Sequence, residues 1–538
     1  MNLSARFRTT HHSAAIAVAV ILLMLSGCGQ RASTSTADSV HSENDPASDS
    51  LVPLQHDEKP AAATSSPERS DDPLSERSNS VKPVARDNPA APETLMPTGA
   101  ASPVAAVSNP PNADRRRMRD DRPALNEARL SAAGIQIYRG RRLVLLSDLP
   151  ELQVQSLPAL ADRLFERLED WFGPLPPADD GSDFQLTGCL IGDQRKFQQA
   201  GLMPSESLSF QHGRHWNYQF WMFNPADDYY RRHLLLHEFT HCFMTCESGM
   251  VDIPPLWYIE GMAEYFATHQ SGAGDSEPDF GILPDRFEGF EGWGRLTELR
   301  RSFPSTAVRT SSDAVPLPIE PLDQVMRNTN RNFDLYAQTW ALCWLLNHHP
   351  VYSEAFRPLR RIRTRLPFIE AAEQIRQPLE TQLAVDWLLF RETVREGFDP
   401  QRCFPVHAQK TFTVADCRQQ TQVLKIRSDL DWQESGLVLK AGETVRIVCE
   451  GRYVVNHETT DWTSEPQGVS IEYERGFPLG QVVGVLTDPA GRQITQRFSI
   501  GRGADIVAPF DASLWLQTND TCDHRHRHSG TVTVTIGQ

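Results

Sequence analysis

The stretch RRHLLLHEFTHCFMTCESG, residues 231–249, carries His237, Glu238 and His241 in the order H-E-x-x-H. On a helix, positions four apart share a face, so His237 and His241 can offer two imidazole nitrogens to one ion. Glu238 points partly the same way, close enough to hold the metal's water. Three fixed letters in five arise by accident at a rate on the order of a few per cent in a long chain. The reading therefore turns on the rest of a catalytic zinc site, which needs a third protein ligand and an open fourth position.

One scheme, H-E-x-x-H-x-x-G-x-x-H, needs Gly at 244 and His at 247; the chain has Met244 and Glu247, so it is excluded. The other takes a carboxylate from a second helix. Downstream stands PPLWYIEGMAEYFATH (254–269), and eighteen residues, 242–259, separate His241 from Glu260. Here the chain resembles the gluzincins, the clan of thermolysin and the membrane alanyl aminopeptidases. The latter carry H-E-x-x-H, eighteen residues, then Glu in a W-L-N-E-G-F-A-type segment. It is also similar to exported bacterial domains with H-E-Y-T-H and W-L-N-E-G-L-A-E-Y. The two motifs cover about thirty residues, and a looser likeness runs over roughly 130–400.

The resemblance implies an α+β gluzincin-like zinc metallopeptidase domain at 125–405. It implies Zn2+ held by His237, His241 and Glu260, and a zinc-bound water activated by Glu238 as general base. Glu264, four after Glu260, corresponds to a carboxylate that in this clan hydrogen-bonds the first His of the motif and fixes its tautomer. Tyr336, in FDLYAQTWALCWLL (333–346), corresponds to an oxyanion donor, although that family has Y-E-K-G where this chain has Tyr336-Ala337-Gln338-Thr339. A core or capping role for Tyr336 stays open, and His269 is an alternative donor. No G-x-M-E-N segment grips a substrate N-terminus, which favours an endopeptidase. HWNYQFWMF (215–223) reads as one strand, an edge to which an extended peptide substrate could add.

Formal net charge is −16, which disfavours nucleic acid as a partner. Arg6 and Arg8, then the apolar run Ala14–Leu25, then Leu25-Ser26-Gly27-Cys28, resemble a bacterial lipobox. Residues 1–27 read as a lipoprotein signal peptide and Cys28 as the lipid attachment, so the membrane is a partner through the anchor. Gly29, where an Asp would favour the inner membrane, points to the outer membrane or the periplasmic face of the envelope. Residues 28–124 read as a disordered tether: 29–124 hold no Phe, Trp or Tyr and cannot bury enough apolar surface to offset ordering. Arg115-Arg116-Arg117 reads as solvated linker, with contact to anionic headgroups as the alternative.

GIQIYRGRRLVLLSD (134–148) reads as two strands around Gly140, and helical spacing from Leu157 to Phe172 ends at Gly173. FQLTGCLIG (184–192) reads as a strand. From 411 to 538 short alternating runs between Gly, Pro, Asp and Asn give an all-β sandwich. This module is similar to the galactose-binding-like jelly roll of the PA-IL-type bacterial lectins. Asn519-Asp520 matches part of their calcium site, but Arg527 and His528 stand where two Asn would be, which puts calcium-dependent sugar binding in doubt. Glycan is a partner only through weak, calcium-independent contact. His524, His526 and His528 would share a face if extended; a solvated loop competes with a second metal site. Cys403 and Cys417 are a candidate pair, whereas Cys242 and Cys246, one turn apart, are awkward to bridge.

The expected function is a lipid-anchored, exported zinc-dependent peptidase. The alternative is a non-catalytic cell-surface glycan- or protein-binding lipoprotein on a degenerate peptidase scaffold.

Overall fold

The computed structural model describes residues 115–204, 210–247, 252–270, 278–286, 288, 294–300, 315–329, 333–362, 364–457 and 460–537. The signal peptide, Cys28 and the tether as far as 114 lie outside the described residues. Pro97–Gln538 forms one compact unit.

Residues 115–124, read from sequence as tether, are among the described residues and make contacts with the fold. Met118 donates its N–H to the Cys246 carbonyl over 2.8 Å, and the Tyr218 hydroxyl donates to the Met118 carbonyl over 2.8 Å. Arg117 is buried and donates to the Pro176 carbonyl, while Arg115 pairs with Glu247 at 2.7 Å. Guanidinium donors can anchor a segment that lacks aromatic residues by satisfying carbonyls and a carboxylate. Arg116 lies 3.6 Å from Asp179 Oδ1, so all three consecutive arginines have partners within the fold.

Helix α1 (Glu127–Ala132) precedes a five-stranded sheet with the order β1-β2-β3-β5-β4. Strands β1 (Gln136–Arg139) and β2 (Leu143–Ser147) form the expected hairpin at Gly140. β2, β3 (Leu186–Ile191) and β5 (Gln219–Phe223) run parallel, and β4 (Gly213–Trp216) is an antiparallel edge. β2 and β3 are buried throughout. The layer holding α2 (Leu157–Phe172) covers Leu143 and Leu145; the layer holding α3 (Gln194–Ala200) covers Val144 and Leu146. The run 215–223 is not one strand. Asn217 takes the left-handed conformation, φ 52°, and Trp216 pairs with Gln219, so the chain turns back within two residues. Asn tolerates that conformation, and alternation of apolar residues could not show the break.

Helix α4 (Asp228–Thr245) carries the H-E-x-x-H motif across the sheet. Its Phe239 and Phe243 meet Phe184 and Phe165 in edge-to-face contacts at 6.2 and 5.6 Å. Helix α5 (Leu256–Ala267) packs between α4 and α8 (Phe333–His348). A Cβ on Gly261 would lie 2.5 Å from the Thr339 carbonyl oxygen and 2.6 Å from the Cys343 sulfur. The glycine after Glu260 thus lets α5 and α8 approach closely. A short pair, β6 (His269–Gln270) with β7 (Asp279–Phe280), follows α5; α6 (Arg295–Arg300), α7 (Leu322–Arg327) and α9 (Arg365–Thr393) complete this part.

From β8 (Phe412–Thr413) onward the chain forms a two-sheet sandwich. One sheet has the order β17-β16-β19-β10-β8 and the other β18-β11-β20-β9. The first includes β10 (Gln433–Leu439), β16 (Val482–Thr487), β17 (Phe498–Ser499) and β19 (Ala512–Thr518). The second includes β9 (Gln422–Arg427), β11 (Thr444–Glu450), β18 (Gly503–Val507) and β20 (Thr531–Gly537). Two hairpins, β12 (Tyr453–Asn456) with β13 (Trp462–Ser464) and β14 (Val469–Glu474) with β15 (Phe477–Leu479), lie between.

β11 alternates exposed and buried, as a half-solvated strand should, but β16 is buried on both faces. Val482 and Leu486 enter the sandwich core, while Val483, Val485 and Trp515 join the core of the helical part. Glu392 of α9 bolts this contact. It accepts from Arg497 at 2.7 and 2.9 Å, from Trp432 Nε1 at 3.1 Å, and from Arg475. The alternating histidines are not extended. Residues Cys522–Arg527 form a 3-10 turn in which Asp520 sits 2.8 Å from His528 Nε2 and 3.4 Å from His524 Nδ1.

Candidate metal centre

Asp227 caps α4 by accepting from the Tyr230 N–H, a carboxylate suited to the positive end of a helix. Every residue from His233 to Thr245 is buried, so its polar groups must be satisfied inside the protein. His233, His237 and His241 recur every four residues and line one face. Glu260 and Glu264 of α5, also four apart and buried, face that line.

His237 Nε2 and His241 Nε2 lie 2.9 Å apart. Glu260 Oε2 is 3.0 Å from the His241 nitrogen and 3.4 Å from the His237 nitrogen. Among the described residues, His237, His241 and Glu260 are the one group of three such side chains placed to hold a metal ion. On the far side of its ring, His237 Nδ1 is 3.0 Å from Glu264 Oε1, which favours a proton on Nδ1 and makes Nε2 the nitrogen that would give up its proton to a metal ion. Two imidazole nitrogens and a carboxylate oxygen converging this closely demand positive charge among them. These residues fit a divalent cation.

Glu264 is itself held. It accepts from His233 Nε2 at 2.8 Å and from Arg295 Nε and Nη2, each at 2.7 Å. Burial alone would raise its pKa, but Arg295 and His233 hold the carboxyl well below the usual range. Burial likewise opposes ionisation of Glu260, and His241 and His237 outweigh it. His237 is raised to about 10: burial works against its charge, and the Glu260 and Glu264 carboxylates prevail. His241 is lowered to about 4, first by burial and then by the imidazoles of His215 and His237 despite Glu260.

Glu238 faces the edge strand. Its Oε2 lies 3.1 Å from His215 Nδ1, and the His215 ring stacks on His241 at 4.4 Å. A Cβ on Gly213 would collide with Glu238 Oε1. Burial would raise the Glu238 pKa, but His215, His237 and His241 lower it, so the carboxylate is ionised at neutral pH. Tyr336 stands half-buried in the first turn of α8, its ring edge-to-face with His237 at 5.9 Å and 5.3 Å from the Arg295 guanidinium carbon. His269 does not share this position. It is fully buried, stacks on Tyr229, engages the Ala267 carbonyl through Nδ1 and accepts from Arg232 at Nε2. Burial, with Arg232 and His233, lowers its pKa to about 3.

The structure thus brings together His237, His241, Glu260, Glu238 and Glu264, with Tyr336 alongside. Three neighbours were not singled out from sequence. His233 had a signal, its place four residues before His237. His215 and Arg295 had none, because only the tertiary fold brings them to the site.

No family model matches the chain, and no curated protein matches it. Solved structures similar to it include the following two. The N-terminal domain of EclA, a PllA-like lectin, is 18% identical, covers 21% of this chain and 93% of its own, and has a TM-score of 0.18. PliG of Aeromonas hydrophila, a periplasmic inhibitor of g-type lysozyme, is 11% identical, covers 25% of this chain and 96% of its own, and has a TM-score of 0.13. At these scores neither likeness carries an argument about this chain.

Proposed function

We propose that this chain is a zinc-dependent peptidase, with His237, His241 and Glu260 as ligands and Glu238 as general base. The observation that carries the reading is the convergence of two imidazole nitrogens and one carboxylate oxygen at 2.9–3.4 Å, backed by the Glu264–Arg295 pair. Imidazole with carboxylate is a donor set that suits zinc. When bound, the ion supplies Lewis-acid polarisation of a carbonyl and acidifies water.

The protein groups do the rest. Glu238, ionised and steadied at Oε2 by His215, takes a proton from water and returns it to the leaving amine. Tyr336 donates its hydroxyl proton in a hydrogen bond to the developing oxyanion. Glu264 keeps His237 in its ligating tautomer. An extended peptide pairs by its backbone along β4, the sheet edge, where Gly213 and His215 border Glu238. None of the required groups is missing, which weighs against a degenerate binding scaffold. The chain acts in this reading as an exported envelope protein, anchored to the membrane through lipid on Cys28. Its sandwich braces the catalytic part and contacts glycans weakly, without calcium, since His528 and His524 engage Asp520.

The test is incubation of the full chain with a proteome-derived peptide library beside Glu238→Gln. Wild type should cleave and the variant should not. Equal cleavage by both, or none by a wild type loaded with zinc, overturns the reading.

A further inference from the structure

Two buried thiols meet where the helical part joins the sandwich. Cys403 and Cys522 are 1% and 2% exposed and lie in the same hydrophobic core. The Cys403 thiol donates to the Cys522 carbonyl oxygen over 3.2 Å, so its sulfur lies against the backbone of the second cysteine. The Cys522 thiol faces the Thr393 carbonyl at 3.9 Å, at the C-terminal end of α9. Both residues sit in firmly bonded backbone. The Cys403 N–H donates to the Asp399 carbonyl over 2.8 Å, and Cys522 opens the 3-10 turn that continues to Arg527. The pairing suggested by sequence, Cys403 with Cys417, is not what the fold brings together: Cys417 packs in the separate core of the sandwich, beside Cys449.

We propose that Cys403 and Cys522 form a disulfide that staples the sandwich to the helical part. A disulfide needs two cysteines held close together, and here the Cys403 sulfur lies 3.2 Å from the backbone carbonyl of Cys522 itself. The two thiols lose two protons and two electrons. A disulfide-bearing oxidant, glutathione disulfide or a protein disulfide donor, accepts them and leaves as two thiols by way of a mixed disulfide. Because both sulfurs are buried, the bond closes during folding and then resists reductants, as a structural bridge does. The cysteines stand 119 residues apart, so the bridge constrains a long loop of the unfolded chain, the case in which stabilisation is greatest. The inference needs an oxidising compartment, which the export signal read at residues 1–27 implies; it does not need the peptidase reading.

The full chain is exported to the periplasm of a bacterial expression host, trapped with N-ethylmaleimide in denaturant, digested and read by mass spectrometry without reduction. The expected product is a linked Cys403–Cys522 peptide pair, with Cys189, Cys242, Cys246, Cys343, Cys417 and Cys449 alkylated. Alkylation of both Cys403 and Cys522, or linkage of either to another cysteine, overturns the proposal. A second readout concerns its structural role. Reductant during thermal unfolding should lower the midpoint of wild type by several degrees and leave Cys403→Ser/Cys522→Ser unmoved; an equal effect on both forms removes the staple.

Discussion

Arg295 grips both carboxylate oxygens of Glu264 at 2.7 Å, and Glu264 in turn lies 3.0 Å from Nδ1 of His237. A charge on α6 thereby bears on the orientation of His237 on α4 through a carboxylate on α5. Partners beyond the ligands typically govern affinity by 10–100-fold (about 1.4–2.7 kcal/mol).

Glu264→Gln should therefore bind zinc about 10–100-fold more weakly than wild type in competition with a chelator. Arg295→Met should unfold more easily by about 3–5 kcal/mol, because it strands a buried carboxylate. The double variant should recover much of that loss. If the two single effects simply add, Arg295 and Glu264 are not coupled.

Gly213→Ala places a methyl group against Oε1 of Glu238. The far end of a side chain can shift, so stability should change little while turnover falls and zinc stays bound. His215→Phe keeps a ring against His241 and removes the bond to Oε2, and should act in the same direction. Zinc loss in either variant would show that the edge strand shapes the metal site itself.

Tyr336→Phe should lower turnover about a hundredfold, the usual cost of one oxyanion donor, with little change in thermal midpoint. A large loss of stability with near-normal turnover per folded molecule would make Tyr336 a packing residue against His237 and Arg295.

His407 provides a pH test remote from the candidate metal centre. Its Nε2 lies 2.7 Å from Asp386 Oδ1 and its Nδ1 3.5 Å from Glu434 Oε2. Burial lowers its pKa, but the two carboxylates raise it to about 9. His349, also near Asp386, is lowered to about 4 by burial and stays neutral. A folded pKa above the unfolded value of about 6.5 stabilises fully below that pH, and the gain is lost as pH rises through about 9. Wild type should exceed His407→Gln by on the order of 2 kcal/mol at pH 6, with the gap closing by about pH 10. A gap that ignores pH would point to packing alone.

The parts legible in sequence were those written in local spacing. His237 and His241 follow from the four-residue spacing, whereas Glu260 and Glu264 came from the resemblance that the eighteen-residue interval and its flanking motif carry. The helix ending at Gly173 and the hairpin at Gly140 follow from chain-local chemistry. What escaped depended on distant contacts or on a single dihedral. Asn217 turns back a stretch whose alternation reads as a single strand, and Arg295 and His215 reach the site only through the fold. The second buried face of β16 exists because α9 and its Glu392 lie against the sandwich, which alternation in β16 itself cannot announce.

The most direct test of the central claim is the zinc content of the purified full chain and its Glu260→Ala variant after equilibrium dialysis against low free zinc. The account predicts one tightly held zinc per wild-type chain and none in Glu260→Ala, with Glu238→Gln retaining the ion as the folded control. Stoichiometric zinc in Glu260→Ala, or none in wild type, would contradict it.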